Sequence, residues 1–202
     1  IAYRSHPQTK IIKDLIEQEE VGEIISIESS FGFKINKIKP ESRLFNKKLG
    51  GGAILDIGCY PVSVLTLFFK KKIFDFIKSN GSFTSTGVDN FADANILIDN
   101  KINANIKVSF KENLNNQLIL RGKKGSIVVN NPWLPDVKNH IDISIDNTFY
   151  KKFINSEKSL YANQIQKISY NFENSINDDN YSVNINESNV IMEILTKWNN
   201  AI

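Results

Sequence analysis

Apolar positions recur at two different periods along this chain, and the switches between them divide it into a helix, a strand, a second helix, a block of strands and two closing helices. In HPQTKIIKDLIEQEEVGE, residues Ile11, Ile12, Leu15 and Ile16 share a helical face, Pro7 stands in the first turn and Gly22 supplies the stop. EIISIESSFGF then alternates, which assigns Ile25, Ile27, Ser29, Phe31 and Phe33 to one side of a strand. After an irregular, basic stretch over 35–49 comes GGGAILDIGCYPVSVLTLFF. It reads as a helix that begins at three glycines and kinks at Pro61, because the proline ring lacks an N–H and collides with the carbonyl of Ile57.

From about residue 75 to 146 the period is two. INANIKVSF sets Ile102, Ala104, Ile106, Val108 and Phe110 against Asn103, Asn105, Lys107 and Ser109, and HIDISID sets Ile141, Ile143 and Ile145 against Asp142, Ser144 and Asp146. Connections as short as LIDNKIN and LRGKKGS suit antiparallel hairpins. Helical spacing returns at Tyr161, Ile165, Ile168 and Phe172, and again at Val190, Ile191, Ile194, Leu195 and Trp198, with the last helix capped from Asn186 or Ser188. NSINDDNYS over 174–182 is a polar loop between them. The expected fold class is α+β: one domain over residues 1–202 with a mainly antiparallel open sheet and helices packed on its apolar face.

An apolar share of 41% suffices for a core at this length of 202 residues. The formal charge of +3 comes from scattered lysines, and Arg4, Arg43 and Arg121 are the only arginines, so a nucleic-acid surface is not expected. Cys59 is the single cysteine; no internal disulfide or multi-cysteine metal cage can form, which suits a reducing, cytoplasmic setting. Lys70, Lys71 and Lys72 end the longest apolar run short of the roughly eighteen residues of a membrane span, and no membrane partner is expected.

Asp56 and Tyr60 are the polar residues that stand out in the apolar helix. At i and i+4 they address one small volume, with Gly58 removing a side chain between them. Two readings fit that spacing. In one, a carboxylate shapes a pocket in which a phenol, normally ionising near pH 10, donates a proton with help from a cation or an oriented hydrogen bond. In the other, Asp56 satisfies backbone near the helix start and Tyr60 is a core aromatic with its hydroxyl at the edge.

The order of motifs weighs on that choice. YRSHPQTKIIKDLIEQEEVGEI, GGGAILDIGCYPV, VDN, LRGKKGSIVVNNPWLP and VNINESNVIMEILTKW together resemble the C-terminal domain of the Gfo/Idh/MocA oxidoreductases. The nearest branch is that of the trans-dihydrodiol dehydrogenases and glucose-fructose oxidoreductases, with GGGA-x-x-DIG-x-Y the most specific element. The resemblance implies an NAD- or NADP-dependent enzyme that moves a hydride between nicotinamide and a sugar, polyol or cyclic alcohol. It assigns proton transfer to Tyr60, with Asp56 in the same pocket. It also implies pairing of two copies through the open sheet face, which here carries Asn, Lys, Ser and Asp. The family's nucleotide-binding half is not in this sequence: no G-x-G-x-x-G follows a strand, and the Glu-Lys-Pro motif would lie ahead of Ile1. The expectation is therefore a substrate domain whose cofactor is held by a half that is absent, the chain being a fragment of a longer dehydrogenase.

Further candidates carry a functional and a structural reading each. Arg4 and His6, in the stretch that follows the absent lysine in the family, either border the substrate pocket or are a surface arginine and a helix-start histidine. Trp133 either lines the substrate side or packs. Arg43 either binds a substrate hydroxyl or phosphate or is a solvated charge. Cys59 reads as a small buried filler before it reads as a nucleophile. Rival functions are a non-catalytic sugar-binding or oligomerisation domain, and a hydrolase built on Asp89 and Asp93; at strand rise those two carboxylates stand roughly 13 Å apart.

Overall fold

The computed structural model of the chain describes residues 1–69, 73–176 and 181–202; the lysine run at 70–72 and the middle of the loop at 174–182 lie outside the described residues. The first helix, α1, spans Pro7–Glu17 with Pro7 at its first position, where a missing N–H costs nothing, and with His6 Nδ1 accepting from the Gln8 N–H. It ends a turn before the expected glycine. Glu19 takes the left-handed conformation, at φ 50°, and Gly22, at φ 74°, makes the following turn into the sheet.

Strand β1 (Ile24–Gly32) begins with a register shift between Ile24 and Ser26 against its neighbour. That bulge moves Ile24 inward and leaves Ile25 exposed, against the sequence assignment; from Ile27 on, the expected alternation of Ile27, Ser29 and Phe31 holds. Phe33 lies past the end of the strand and is partly exposed. The remaining strands are β2 (Phe74–Phe83), β3 (Asp89–Ile98), β4 (Ile102–Ser109), β5 (Gln117–Gly122), β6 (Gly125–Asn130), β7 (Lys138–Ile145) and β8 (Thr148–Asn155). Among the described residues they form one sheet in the order β2-β3-β4-β1-β5-β6-β7-β8. Neighbours run antiparallel except β1 and β4, whose parallel pairing sets Ile27 beside Ala104 and Phe31 beside Val108. The hairpins turn on Asp99–Asn100 and Asp146–Asn147, all four at positive φ, as tight two-residue turns require.

The inner face is apolar and buried, from Ala94 and Ile96 through Ile106, Ile27 and Leu120 to Val129 and Ile143. The outer face is polar, with ion pairs Arg121–Glu28 and Lys151–Asp142. Helices α2 (Ala53–Ile57), α3 (Cys59–Phe68) and α5 (Ile185–Asn200) lie over the inner face. The expected single helix is broken. Gly58 ends α2 and begins α3, and the segment Lys47–Ile57 meets α3 at 52°. With the break at Gly58 and not at Pro61, the proline falls in the first turn of α3, where its missing N–H has no intrahelical partner to lose. Helix α5 is capped by Asn184, ahead of the expected positions, through a bond from the Glu187 N–H. Helix α4 (Leu160–Glu173) departs from the expected helix layer: it packs against the turn Ala2–Ser5, and Leu160 is its one buried residue.

Candidate active site

Of the glycines that begin α2, Gly52 makes room for a carboxylate. Asp89, at the start of β3 and buried, accepts the Ile54 N–H at 2.8 Å and so caps α2 from 35 positions away in sequence. Burial pushes its carboxyl pKa up, against the pull of the Ile54, Asp89 and Ala53 N–H groups. Gly52 sits at φ 115°, and a Cβ there would stand 2.0 Å from Asp89 Oδ1. Asp93, the second acid of the hydrolase rival, instead accepts from Asn80 Nδ2, so the two carboxylates do not pair.

Asp56 and Tyr60 lie on either side of the break at Gly58. Asp56, in the last turn of α2, forms an ion pair with Arg43, whose side chain is largely exposed while the carboxylate is mostly covered. Tyr60, the second residue of α3, is half-buried in a cluster of rings. Phe31 meets it edge-on at 5.0 Å between centroids, Trp133 edge-on at 6.0 Å, and Tyr3 lies tilted at 6.3 Å. Such contacts fix the ring. Its hydroxyl has no hydrogen-bond partner among the described residues. Burial raises the phenol's pKa, and Cys59, Tyr161, Asp56 and Tyr3 push it the same way. Asp56 thus acts on Tyr60 through space, with no hydrogen bond between them.

Around this cluster the remaining sequence candidates take defined places. Trp133 is 1% exposed and donates its indole N–H to the Ser30 carbonyl at 2.8 Å, so it backs the Tyr60 ring from inside. Arg4 is 3% exposed, neither at the surface nor open to a ligand; its guanidinium makes a two-pronged ion pair with Glu187 at 2.7 and 3.0 Å and also donates to the Ser63 carbonyl and Thr66 Oγ1. His6 is the helix-start histidine of the bland reading, buried, its pKa lowered by burial against the pull of the Asp136 backbone. Burial and the Asp56 charge push the Cys59 thiol up to about 11, which disfavours the thiolate a nucleophile needs.

Three residues absent from the sequence candidates complete the arrangement. Tyr3 Oη and Ser63 Oγ lie 2.7 Å apart, and Ser63 Oγ donates to the Tyr60 carbonyl at 2.9 Å, so Tyr3 and Ser63 hold the backbone of the residue they surround. Glu187 closes the same group from α5. Its position was open to a sequence reading, since Asn184 followed three residues later by Glu187 is a helix-start pattern.

A family model described as the GFO/IDH/MocA C-terminal domain matches residues 9–128, more than half of the chain. The chain belongs to the Gfo/Idh/MocA family, and the matched part is that family's C-terminal domain. Among curated proteins it is 32% identical to a trans-1,2-dihydrobenzene-1,2-diol dehydrogenase of Xenopus tropicalis over 133 residues, 65% of this chain and 39% of that protein. To the same-named protein of Mus musculus it is 24% identical over 194 residues, 96% of this chain and 51% of that one. It thus spans about half or less of these relatives. Two solved structures share the fold. KijD10, a 3-ketoreductase from Actinomadura kijaniata in complex with NADP and TDP-benzene, superposes with a TM-score of 0.85 at 19% identity, over 99% of this chain and 60% of that one. An aldose-aldose oxidoreductase from Caulobacter crescentus complexed with glycerol gives 0.79 at 16% identity, over 99% and 60%.

The glycine run that precedes α2 is no cradle for a pyrophosphate: the Gly50, Gly51 and Gly52 amides donate to the Lys47, Asn46 and Leu44 carbonyls, and the Asp89 carboxylate takes the Ile54 N–H.

Proposed function

We propose that the chain is the substrate domain of an NAD(P)-dependent oxidoreductase acting on a sugar, polyol or cyclic alcohol, with Tyr60 exchanging a proton with the substrate oxygen. One observation carries this reading: a phenol whose ring is packed on three sides while its hydroxyl is left uncommitted. The cofactor, NAD or NADP, would be held by a nucleotide-binding half ahead of Ile1. This chain's own share is to position the substrate oxygen against Tyr60 and to move the proton. The neighbours of Tyr60 raise its pKa, and the guanidiniums nearby are committed, Arg43 to Asp56 and Arg4 to Glu187. The phenol is therefore protonated at neutral pH and suited to give a proton to an oxygen that gains charge, the direction of carbonyl reduction.

The test is Tyr60→Phe in a polypeptide that carries both halves. Loss of positioned proton transfer lowers kcat roughly a hundred- to ten-thousand-fold, with KM and circular dichroism little changed; near-normal kcat removes Tyr60 from the chemistry. Asp56→Asn gives a smaller loss, and no loss at all leaves Asp56 as an anchor for Arg43. The absence of a cation facing Tyr60 within the described residues favours a second reading, a non-catalytic sugar-binding or oligomerisation domain. Sugar binding without turnover in the two-half polypeptide would decide for it. On either reading the polar outer sheet face is the surface through which two copies would pair, in a wet interface of the Glu28–Arg121 kind.

A further inference from the structure

The loop between β1 and α2 gathers positive charge beside the site. Residues 34–48 carry Lys34, Lys37, Lys39, Arg43, Lys47 and Lys48 against one acid, Glu41, a net +5; the whole chain is net +3, so everything outside this segment is net negative. All six cations are exposed. Elsewhere lysines pair with carboxylates, as Lys10 does with Asp14, Lys123 with Glu23 and Lys151 with Asp142. Within the segment only Arg43 has such a partner among the described residues, Asp56. Like charges gathered without counter-charges repel one another, and an anion bound among them relieves that repulsion.

The backbone beneath these charges is fixed. The Ile35 N–H donates to the Phe110 carbonyl at 2.8 Å, Phe45 is buried with its ring 6.3 Å from that of Phe110, and Ser42 and Asn46 cap two short turns, Arg43–Phe45 and Lys47–Leu49. Both ends of the segment reach the site. It leaves β1 just after Phe31, whose ring meets that of Tyr60, and it leads into α2, whose last turn carries Asp56. Cations set on a fixed loop lose little freedom when an anion settles among them. We infer that the substrate is a phosphate ester of a sugar or polyol, whose phosphate is held by the lysines of residues 34–48 while its reacting oxygen faces Tyr60. The inference rests on the substrate-domain reading of the proposed function and narrows its substrate class, but does not depend on the proton step given to Tyr60. A phosphate monoester carries about two negative charges at neutral pH and so uses such a cluster more fully than a carboxylate does. No cation faces Tyr60 among the described residues, so phosphate and reacting oxygen belong to different ends of the substrate.

Titration calorimetry of the 202-residue chain with glucose 6-phosphate, glucose and inorganic phosphate tests this. The expected result is glucose 6-phosphate bound about tenfold tighter than either of the others, with the preference shrinking as salt rises. Lys37→Gln, Lys39→Gln, Lys47→Gln and Lys48→Gln combined abolish the preference. Lys101→Gln, Lys124→Gln, Lys138→Gln and Lys152→Gln combined remove the same charge from exposed positions outside the segment and keep it. In the two-half polypeptide the first set raises KM for the sugar phosphate about tenfold and leaves that for NADP unchanged. The inference is overturned by absent binding of the ester, by equal affinity for ester and glucose, by inorganic phosphate binding as tightly as the ester, or by equal losses from the two sets. A rise in KM for NADP in place of the sugar phosphate also overturns it, because the cluster would then serve the cofactor. Tyr60→Phe lowers kcat on the proton-transfer reading and leaves the binding preference in place, so failure of that reading and failure of this one are told apart.

Discussion

The buried ion pair between Arg4 and Glu187 gives a sharp stability test, because its two ends lie 183 residues apart and tie three segments together. Burial works against the Arg4 charge, but the Glu187 carboxylate and Tyr3 more than offset it and leave the guanidinium's pKa above its ordinary value. Arg4→Met fills much of the space but removes the guanidinium that pairs with Glu187 and donates to the Ser63 carbonyl and Thr66. Glu187→Gln leaves the guanidinium buried against a neutral amide. Breaking a buried pair from one side costs about 3–5 kcal/mol. In a domain of this size, at roughly 2–4 °C per kcal/mol, that lowers Tm by about 6–20 °C. The double variant Arg4→Met with Glu187→Gln strands no charge, so its loss is smaller than the sum of the single losses by about 1–3 kcal/mol. Thermal and denaturant unfolding of the four proteins measures this directly. Single losses below about 1 kcal/mol, or strict additivity, would show that the pair behaves as an exposed one and that the turn Ala2–Ser5 is held by something else.

Gly52→Ala and Gly50→Ala form a matched pair for the start of α2. Gly52 combines a φ of 115° with a Cβ position 2.0 Å from Asp89 Oδ1, so the substitution costs strain and the cap together, about 2–4 kcal/mol. Gly50, at φ 69° with open space around it, costs strain alone, about 1 kcal/mol; equal losses in denaturant unfolding would refute the capping role of Asp89. Cys59, with its thiol raised to about 11, holds roughly 0.1% thiolate at pH 8, so iodoacetamide labels it about a hundredfold more slowly than a free cysteine. The rate climbs about tenfold per pH unit up to that value while the fold lasts, and labelling at the free-thiol rate contradicts the burial.

Short-range patterns were the legible part of this fold. Pro7 located α1, strict alternation assigned the buried Ala104, Ile106 and Val108, and the brief Asp99–Asn100 connection foretold an antiparallel hairpin. What the sequence misplaced was settled by partners far away in the chain. The phase of Ile24 and Ile25 depends on a bulge against Gly122 and Arg121. The parallel pairing of β1 with β4 joins segments separated by α2, α3 and two strands, and no local period encodes it. The steric conflict at Pro61 has two local solutions, a kink at the proline or a break before it. Anchoring of α2 by Asp89 goes with the second. The i,i+4 argument for Asp56 and Tyr60 assumed a continuous helix; the helix is broken between them, and Asp56 is still close enough to act on the phenol's charge. The buried position of Arg4 could not be read locally because Glu187, its ion-pair partner, belongs to the other end of the chain.

The turn Ala2–Ser5 is where these separate findings meet. Tyr3 reaches Ser63 and, through it, the Tyr60 carbonyl; Arg4 grips the Ser63 carbonyl and the start of α5; and α4 lies along the same turn. A displacement of that turn would therefore act on the segment whose side chains hold α3 at Tyr60. Tight packing transmits such a displacement, because a buried cluster of rings and paired charges has little free volume to absorb it. The Tyr60 ring is fixed by residues of this chain, while its hydroxyl finds no hydrogen-bond partner among the described residues.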